Sequence, residues 1–125
     1  MKIQESAENY LETILMLSEK MPAVRSIDVV AELGFSKPSV SVAMKNLEAD
    51  GYISRDSSGH ITLTDTGLAI AESVYERHDL LCNLFSYIGV SEDVAKEDAC
   101  KVEHHISQET FECLKKHFES LKKSC

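Results

Sequence analysis

Residues Ser26–Thr64 read SIDVVAELGFSKPSVSVAMKNLEADGYISRDSSGHITLT, and this stretch decides the fold. Ile27, Val30, Ala31 and Leu33 recur at helical spacing and stop at Gly34, a residue that tolerates the left-handed backbone of a helix end. Ser36 then offers an N-cap, with Lys37 and Pro38 in a first turn where proline is accepted. Val40, Ala43, Met44 and Leu47 follow at i, i+3, i+4 and i+7, giving one apolar face before Gly51. Two short helices joined by a tight turn predict a helix-turn-helix. Directly behind it, Tyr52–Arg55 and His60–Thr64 are β-prone runs around Asp56-Ser57-Ser58-Gly59, which reads as a hairpin, or wing.

With its apolar face inward, the second helix exposes Ser39, Ser41, Val42, Lys45 and Asn46. Short hydroxyls reach base edges or phosphates, Val42 offers methyl surface to thymine, and Lys45 neutralises a phosphate. Ser36 and Lys37 at the helix start form a favourable phosphate site. Arg55 and His60 are the wing residues expected to touch the DNA backbone. A three-helix domain with a merely solvated polar face is the plainer alternative, and the hairpin weighs against it.

Outward from this core, residues 5–20 carry Tyr10, Leu11, Ile14, Leu15 and Leu17 on a predicted helix, with Ser6 as its cap. Thr64 or Asp65 caps a long helix through Ala71, Val74, His78 and Leu81 that ends near Gly89. Ser91 opens a further helix in a capping-box pattern, and Ser107 caps a last one through Phe111, Leu114, Phe118 and Leu121. The expected fold class is mostly α: a winged helix-turn-helix DNA-binding domain over residues 1–70, then a helical metal-binding and dimerisation domain over 71–125. Phe85, Ile88, Phe111 and Phe118 are the apolar groups expected at the dimer interface.

The 125 residues are 43% hydrophobic with a formal charge of −8, an ordinary globular composition that disfavours binding nucleic acid by bulk attraction but permits a local basic surface. No apolar run approaches the ~18 residues of a membrane span, and Met1–Glu5 lack a signal-peptide core. A cytoplasmic location without membrane association is expected. The cysteines at 82, 100, 113 and 125 form no Cys-x-x-Cys pair, so a disulfide framework is not expected. Cys113 reads as half-buried and Cys125 as a tail thiol.

Cys100, Glu103 and His104 stand at i, i+3 and i+4, which on one helix brings three donors to one face. Thiolate, carboxylate and imidazole together suit a transition metal better than calcium or magnesium. One helix cannot close the shell, and His78 and Glu12 are candidates to complete it. A lone helical cysteine is more often a small buried hydrophobe, and a Glu-His-His run is often a solvated face. An enzyme built on Cys100 and His104 is disfavoured, because no Gly-rich oxyanion loop accompanies them. A metal-independent winged-helix regulator and a cytosolic metal-binding protein that ignores DNA remain as alternatives.

Several stretches together resemble the diphtheria-toxin-repressor family of iron- and manganese-dependent regulators. They are Glu8–Ile14, Lys37–Ser41, Leu63–Gly67, Arg77–Leu81 and Asp98–His104. The resemblance implies a homodimer that binds a palindromic double-stranded DNA operator and represses metal-homeostasis genes when loaded, in a short form lacking the SH3-like domain of iron-type members. It implies metal ligands at Asn9, Glu12, His78, Cys100, Glu103 and His104. DNA contacts are implied at Ser36, Pro38 and Val42, alongside the derived Lys37, Ser39, Ser41 and Lys45. The ligand pattern is mixed: Glu12 follows the manganese type, Cys100 the iron type, and Asn9 neither. Fe(II) is the expected effector with Mn(II) close behind, and Zn(II) or Co(II) as substitutes in vitro. Cys82 falls where iron-type members carry an ancillary-site glutamate, but the histidine expected near Lys96 is missing.

Overall fold

A computed structural model describes residues 5–123, so Met1–Gln4 and the tail thiol Cys125 lie outside the described residues. In chain order the elements are α1 (Glu5–Lys20), α2 (Ser26–Leu33), α3 (Lys37–Ala49), β1 (Ile53–Arg55), β2 (Ile61–Leu63), α4 (Asp65–Tyr87), α5 (Glu92–Val102) and α6 (Gln108–Lys123). They form two compact units, residues 1–73 and 74–125, with α4 running from the first into the second. No described helix is long and apolar enough to cross a membrane.

The first unit is a winged helix built around Leu11, Ile14, Val29, Val40, Met44, Leu47, Ile53 and Ile61. Removing a side chain such as Leu11, Ile14 or Met44 from water stabilises the fold by about 1.5–3 kcal/mol each. Gly34 closes α2 at φ 71°, its N–H donating to the Val30 carbonyl at 2.9 Å. A side chain there would be strained, which explains why the turn of the helix-turn-helix holds glycine. Arg25 is the N-cap of α2, with its N–H donating to the Asp28 carboxylate at 2.9 Å. Val29 is the buried residue of that helix and Ile27 is exposed, contrary to the inward face expected of Ile27. Eight residues allow little more than two turns, so one central side chain suffices to seat it.

The wing is antiparallel, pairing Ile53 with Leu63 and Arg55 with Ile61. Asp56 Oδ1 accepts from the Ser58 and His60 amides, both at 2.9 Å, and closes the turn. The hairpin is anchored at both ends: the Ile61 amide donates to the Val24 carbonyl at 2.7 Å, and Thr64 Oγ1 donates to the Gly51 carbonyl at 2.7 Å. Thr64 Oγ1 also accepts from the Gly67 amide at 3.1 Å, capping α4. Ser6, expected as the first cap, lies inside α1, since that helix already includes Glu5.

The second unit buries Val74, Leu81, Ala95, Ala99, Phe111 and Phe118. Phe118 meets Tyr87 edge-on at 5.7 Å, and the Arg77 guanidinium lies over Phe111. Phe111 and Phe118 are each 3% exposed and so supply no interface area, correcting that expectation, whereas Ile88 is 66% exposed. Cys113 is exposed rather than half-buried. Ser91 is the N-cap of α5 without a side-chain cap bond, and Ser107 caps α6 by accepting from the Thr110 amide at 3.1 Å.

Gly67 marks where the wing backbone crosses the first turn of α4. A Cβ there would collide with the Tyr52 main-chain carbonyl, lying 2.9 Å from its carbon. Gly67→Ala is expected to cost about 1–3 kcal/mol in urea unfolding. An unchanged midpoint would show that the wing yields easily at this crossing.

Candidate metal centre and nucleic-acid interface

Helix α5 stops at Val102, so Cys100 is helical while Glu103 is the C-cap and His104 lies in the following turn. The expectation of three donors on one continuous helix is corrected here. The physical reason is that the turn is held by other contacts. Arg77 Nη1 donates to the main-chain carbonyls of Glu103 at 3.2 Å and Ile106 at 2.8 Å, and Nη2 donates to Gln108 Oε1 at 2.9 Å.

The turn directs the Glu103 side chain inward, where the residue is 1% exposed. Oε2 lies 2.8 Å from His78 Nδ1. A carboxylate only accepts, so the ring proton is assigned to Nδ1. Oε1 stands 3.3 Å from His104 Nε2 but accepts no hydrogen bond among the described residues. One buried carboxylate thus sits between two imidazoles. Cys100 joins it: donor atoms of His78, Cys100 and Glu103 all lie within 4.8 Å of one another. On the other edge of the His78 ring, Cys82 Sγ is 3.5 Å from Nε2. Asn9 and Glu12 lie on α1 in the first unit, Asn9 half-buried and Glu12 buried at 4% exposure.

A buried carboxylate with an unsatisfied oxygen, an imidazole and a thiol is a poor structural ion pair, because desolvation costs more than a single imidazole contact returns. It is a good donor set for a transition cation, whose charge meets the anion directly. The residues present fit a divalent metal.

In the first unit, Ser36, Lys37, Pro38, Ser39, Ser41, Val42 and Lys45 are all exposed, along the start and one face of α3. Val42, at 58% exposure, presents its methyl groups to solvent on this face. Ser36 is the N-cap, accepting from the Ser39 amide at 3.3 Å and donating to the Ser39 hydroxyl at 2.8 Å. Arg55 lies on β1 of the wing. Its Nη2 lies 2.8 Å from Glu48 Oε1 on α3, so it ties the wing to the reading helix. His60 lies between Asp56, 3.2 Å from Nδ1, and Arg25, 3.2 Å from Nε2. Phe35, stacked edge-on with Tyr10 at 6.0 Å, is an exposed turn residue that sequence reasoning passed over; an aromatic beside Gly34 was the available signal.

A winged helix followed by a helical unit with a clustered thiol, carboxylate and imidazole defines a metal-responsive DNA-binding regulator. Comparison with known proteins agrees. Residues 2–61 match the N-terminal DNA-binding domain of iron-dependent repressors, and 64–125 match their metal-binding and dimerisation domain. The chain is 35% identical over 111 residues to the transcriptional regulator MntR of Salmonella typhimurium, covering 89% of this chain and 71% of that one. The solved manganese regulator SloR superposes with a TM-score of 0.79 at 28% identity, over 95% of this chain. ScaR with bound Zn2+ gives 0.75 at 25% identity, over 90% of this chain. This chain spans 55% of the SloR chain and 53% of the ScaR chain. The chain belongs to the diphtheria-toxin-repressor family of metal-dependent transcriptional regulators.

The wing turn supplies a direct check on the local geometry. The His60 amide, chiefly, holds the Asp56 carboxyl below its ordinary 3.8, and the Ser58 amide and the His60 ring act the same way. A depressed carboxylate stabilises the turn at pH above the unfolded value and loses that contribution as pH falls through the folded one. An NMR titration should therefore place the Asp56 midpoint below 3.8, with the Ser58 and His60 amides moving at the same pH. A midpoint at or above that value would contradict the turn described.

Proposed function

We propose that the chain is a cytoplasmic, metal-activated repressor of metal-homeostasis genes that binds a palindromic double-stranded operator as a homodimer, with Fe(II) or Mn(II) as effector. The observation carrying this reading is the buried Glu103 carboxylate, with one oxygen accepting no hydrogen bond among the described residues, beside His78 and Cys100. His78, Cys100, Glu103 and His104 are the second unit's proposed ligands. Asn9 and Glu12 are the first unit's.

A divalent cation bound there would supply the positive charge that the buried Glu103 carboxylate lacks, with the exposed Cys100 as a further donor. The chain's own groups set the terms of loading. If His78 ligates through Nδ1, the proton now given to Glu103 moves to Nε2 without net release, whereas Cys100 must lose its thiol proton, so occupancy falls in acid. The Cys100 sulfur favours Fe(II) over Mn(II), whereas the structurally similar SloR is a manganese regulator; both ions belong in the test.

On the DNA side, Ser39, Ser41 and Val42 would read base edges, and Lys45 and the α3 N-terminus, with Ser36, Lys37 and Pro38, would hold phosphates. Two copies must present their reading helices about 34 Å apart, one turn of B-DNA. Loading acts on DNA affinity only through its preference for the competent dimer, so weak binding persists without metal.

Fluorescence anisotropy of DNA from upstream of this protein's own gene, measured anaerobically in chelator, Fe²⁺ or Mn²⁺, tests the reading. Binding should tighten at least tenfold with one ion, about 1.4 kcal/mol of coupling, and Glu103→Gln should remove that dependence. Equal affinity in chelator would leave a metal-independent regulator. Lys45→Ala should weaken loaded binding on every sequence and flatten the log–log salt slope by about 0.9 for each protomer, about 1.8 for the dimer. An unchanged slope would remove Lys45 from the phosphate contacts.

A further inference from the structure

Arg77 and His78 are neighbours on α4, and both grip the turn that follows α5. His78 meets the Glu103 carboxylate, while Arg77 holds the Glu103 and Ile106 carbonyls. As a C-cap residue, Glu103 has a carbonyl without an intrahelical donor, so the guanidinium fills a need created by the end of the helix. The other half of the same guanidinium donates to Gln108 Oε1 in the first turn of α6, and its carbon lies 5.5 Å from the Phe111 ring centroid. The turn from 103 to 106 contains neither glycine nor proline to set its path. One planar cation bridges three segments, and an ammonium group cannot reproduce that fork.

We infer that Arg77 is a positioning residue for the metal centre, fixing the backbone of the 103–106 turn so that Glu103 and His104 present their donors in one geometry. It touches no donor atom and acts through the Glu103 main chain. Through Gln108 and Phe111 it makes that geometry depend on the seating of α6. The inference rests on the metal-centre reading above.

The test is an anaerobic Co²⁺ titration of the full chain, read by the thiolate charge-transfer and visible d–d bands, beside thermal unfolding of metal-free protein. Arg77→Lys should bind Co²⁺ about 10–100-fold more weakly and show a shifted d–d band at saturation. Gln108→Ala, which keeps the carbonyl contacts, should show a smaller loss in the same direction and decides the matter if Arg77→Lys fails to fold. A purely structural arginine would lower the unfolding temperature while leaving the saturated spectrum as in wild type. Wild-type affinity and spectrum in these variants, with the band lost in Glu103→Gln, would overturn the positioning role and leave the centre standing. Absence of any cobalt band in the wild-type protein would overturn both.

Discussion

A carboxylate taken out of water needs compensating charge, and in the second unit everything of functional interest is arranged around one such group. Glu103 is buried, with one oxygen on the His78 ring and the other near His104 but accepting no hydrogen bond among the described residues. Replacing an arrangement of this kind by apolar side chains of similar volume is often neutral or stabilising. Its value therefore lies in what it can bind. The end of α5 at Val102, the path of the next turn and the start of α6 all serve to hold this side chain where it is.

The first unit follows a different logic. Its core is ordinary close packing, and its polar interactions are spent on fixing the reading helix and wing to one another. The Arg55–Glu48 pair joins β1 to α3, Thr64 bridges Gly51 and Gly67, and Ile61 is bonded to Val24. Arg55 is thereby a brace between the wing and α3. The exposed hydroxyls, Val42 and Lys45 remain as the surface available to DNA, in a chain whose overall charge is −8. Loading an acidic protein with a cation and presenting it to a polyanion are compatible in sign.

Most of the winged helix was legible in the sequence, because its signals are local. Gly34, Ser36, Pro38 and the spacing of Val40, Met44 and Leu47 each constrain the backbone within a few residues. The second unit was less so. Nothing near Val102 announces a helix end, and the carbonyls just beyond it are held by Arg77, some two dozen residues earlier. Phe111 and Phe118 looked like interface residues because periodicity gives a helix face without saying what covers it; Arg77 and Tyr87 do. Cys100, Glu103 and His78 were picked out by residue type, and their convergence is tertiary. Arg77 stood in a recognised stretch, yet only the fold shows which carbonyls it reaches.

The central claim is that Cys100, with Glu103 and His78, holds a transition cation, and X-ray absorption at the zinc edge tests it most directly. Zinc-loaded protein should show a sulfur shell near 2.3 Å alongside nitrogen and oxygen at about 2.0–2.2 Å, with the sulfur shell lost in Cys100→Ser. A purely nitrogen–oxygen shell, or a sulfur shell that survives the substitution, would contradict the account.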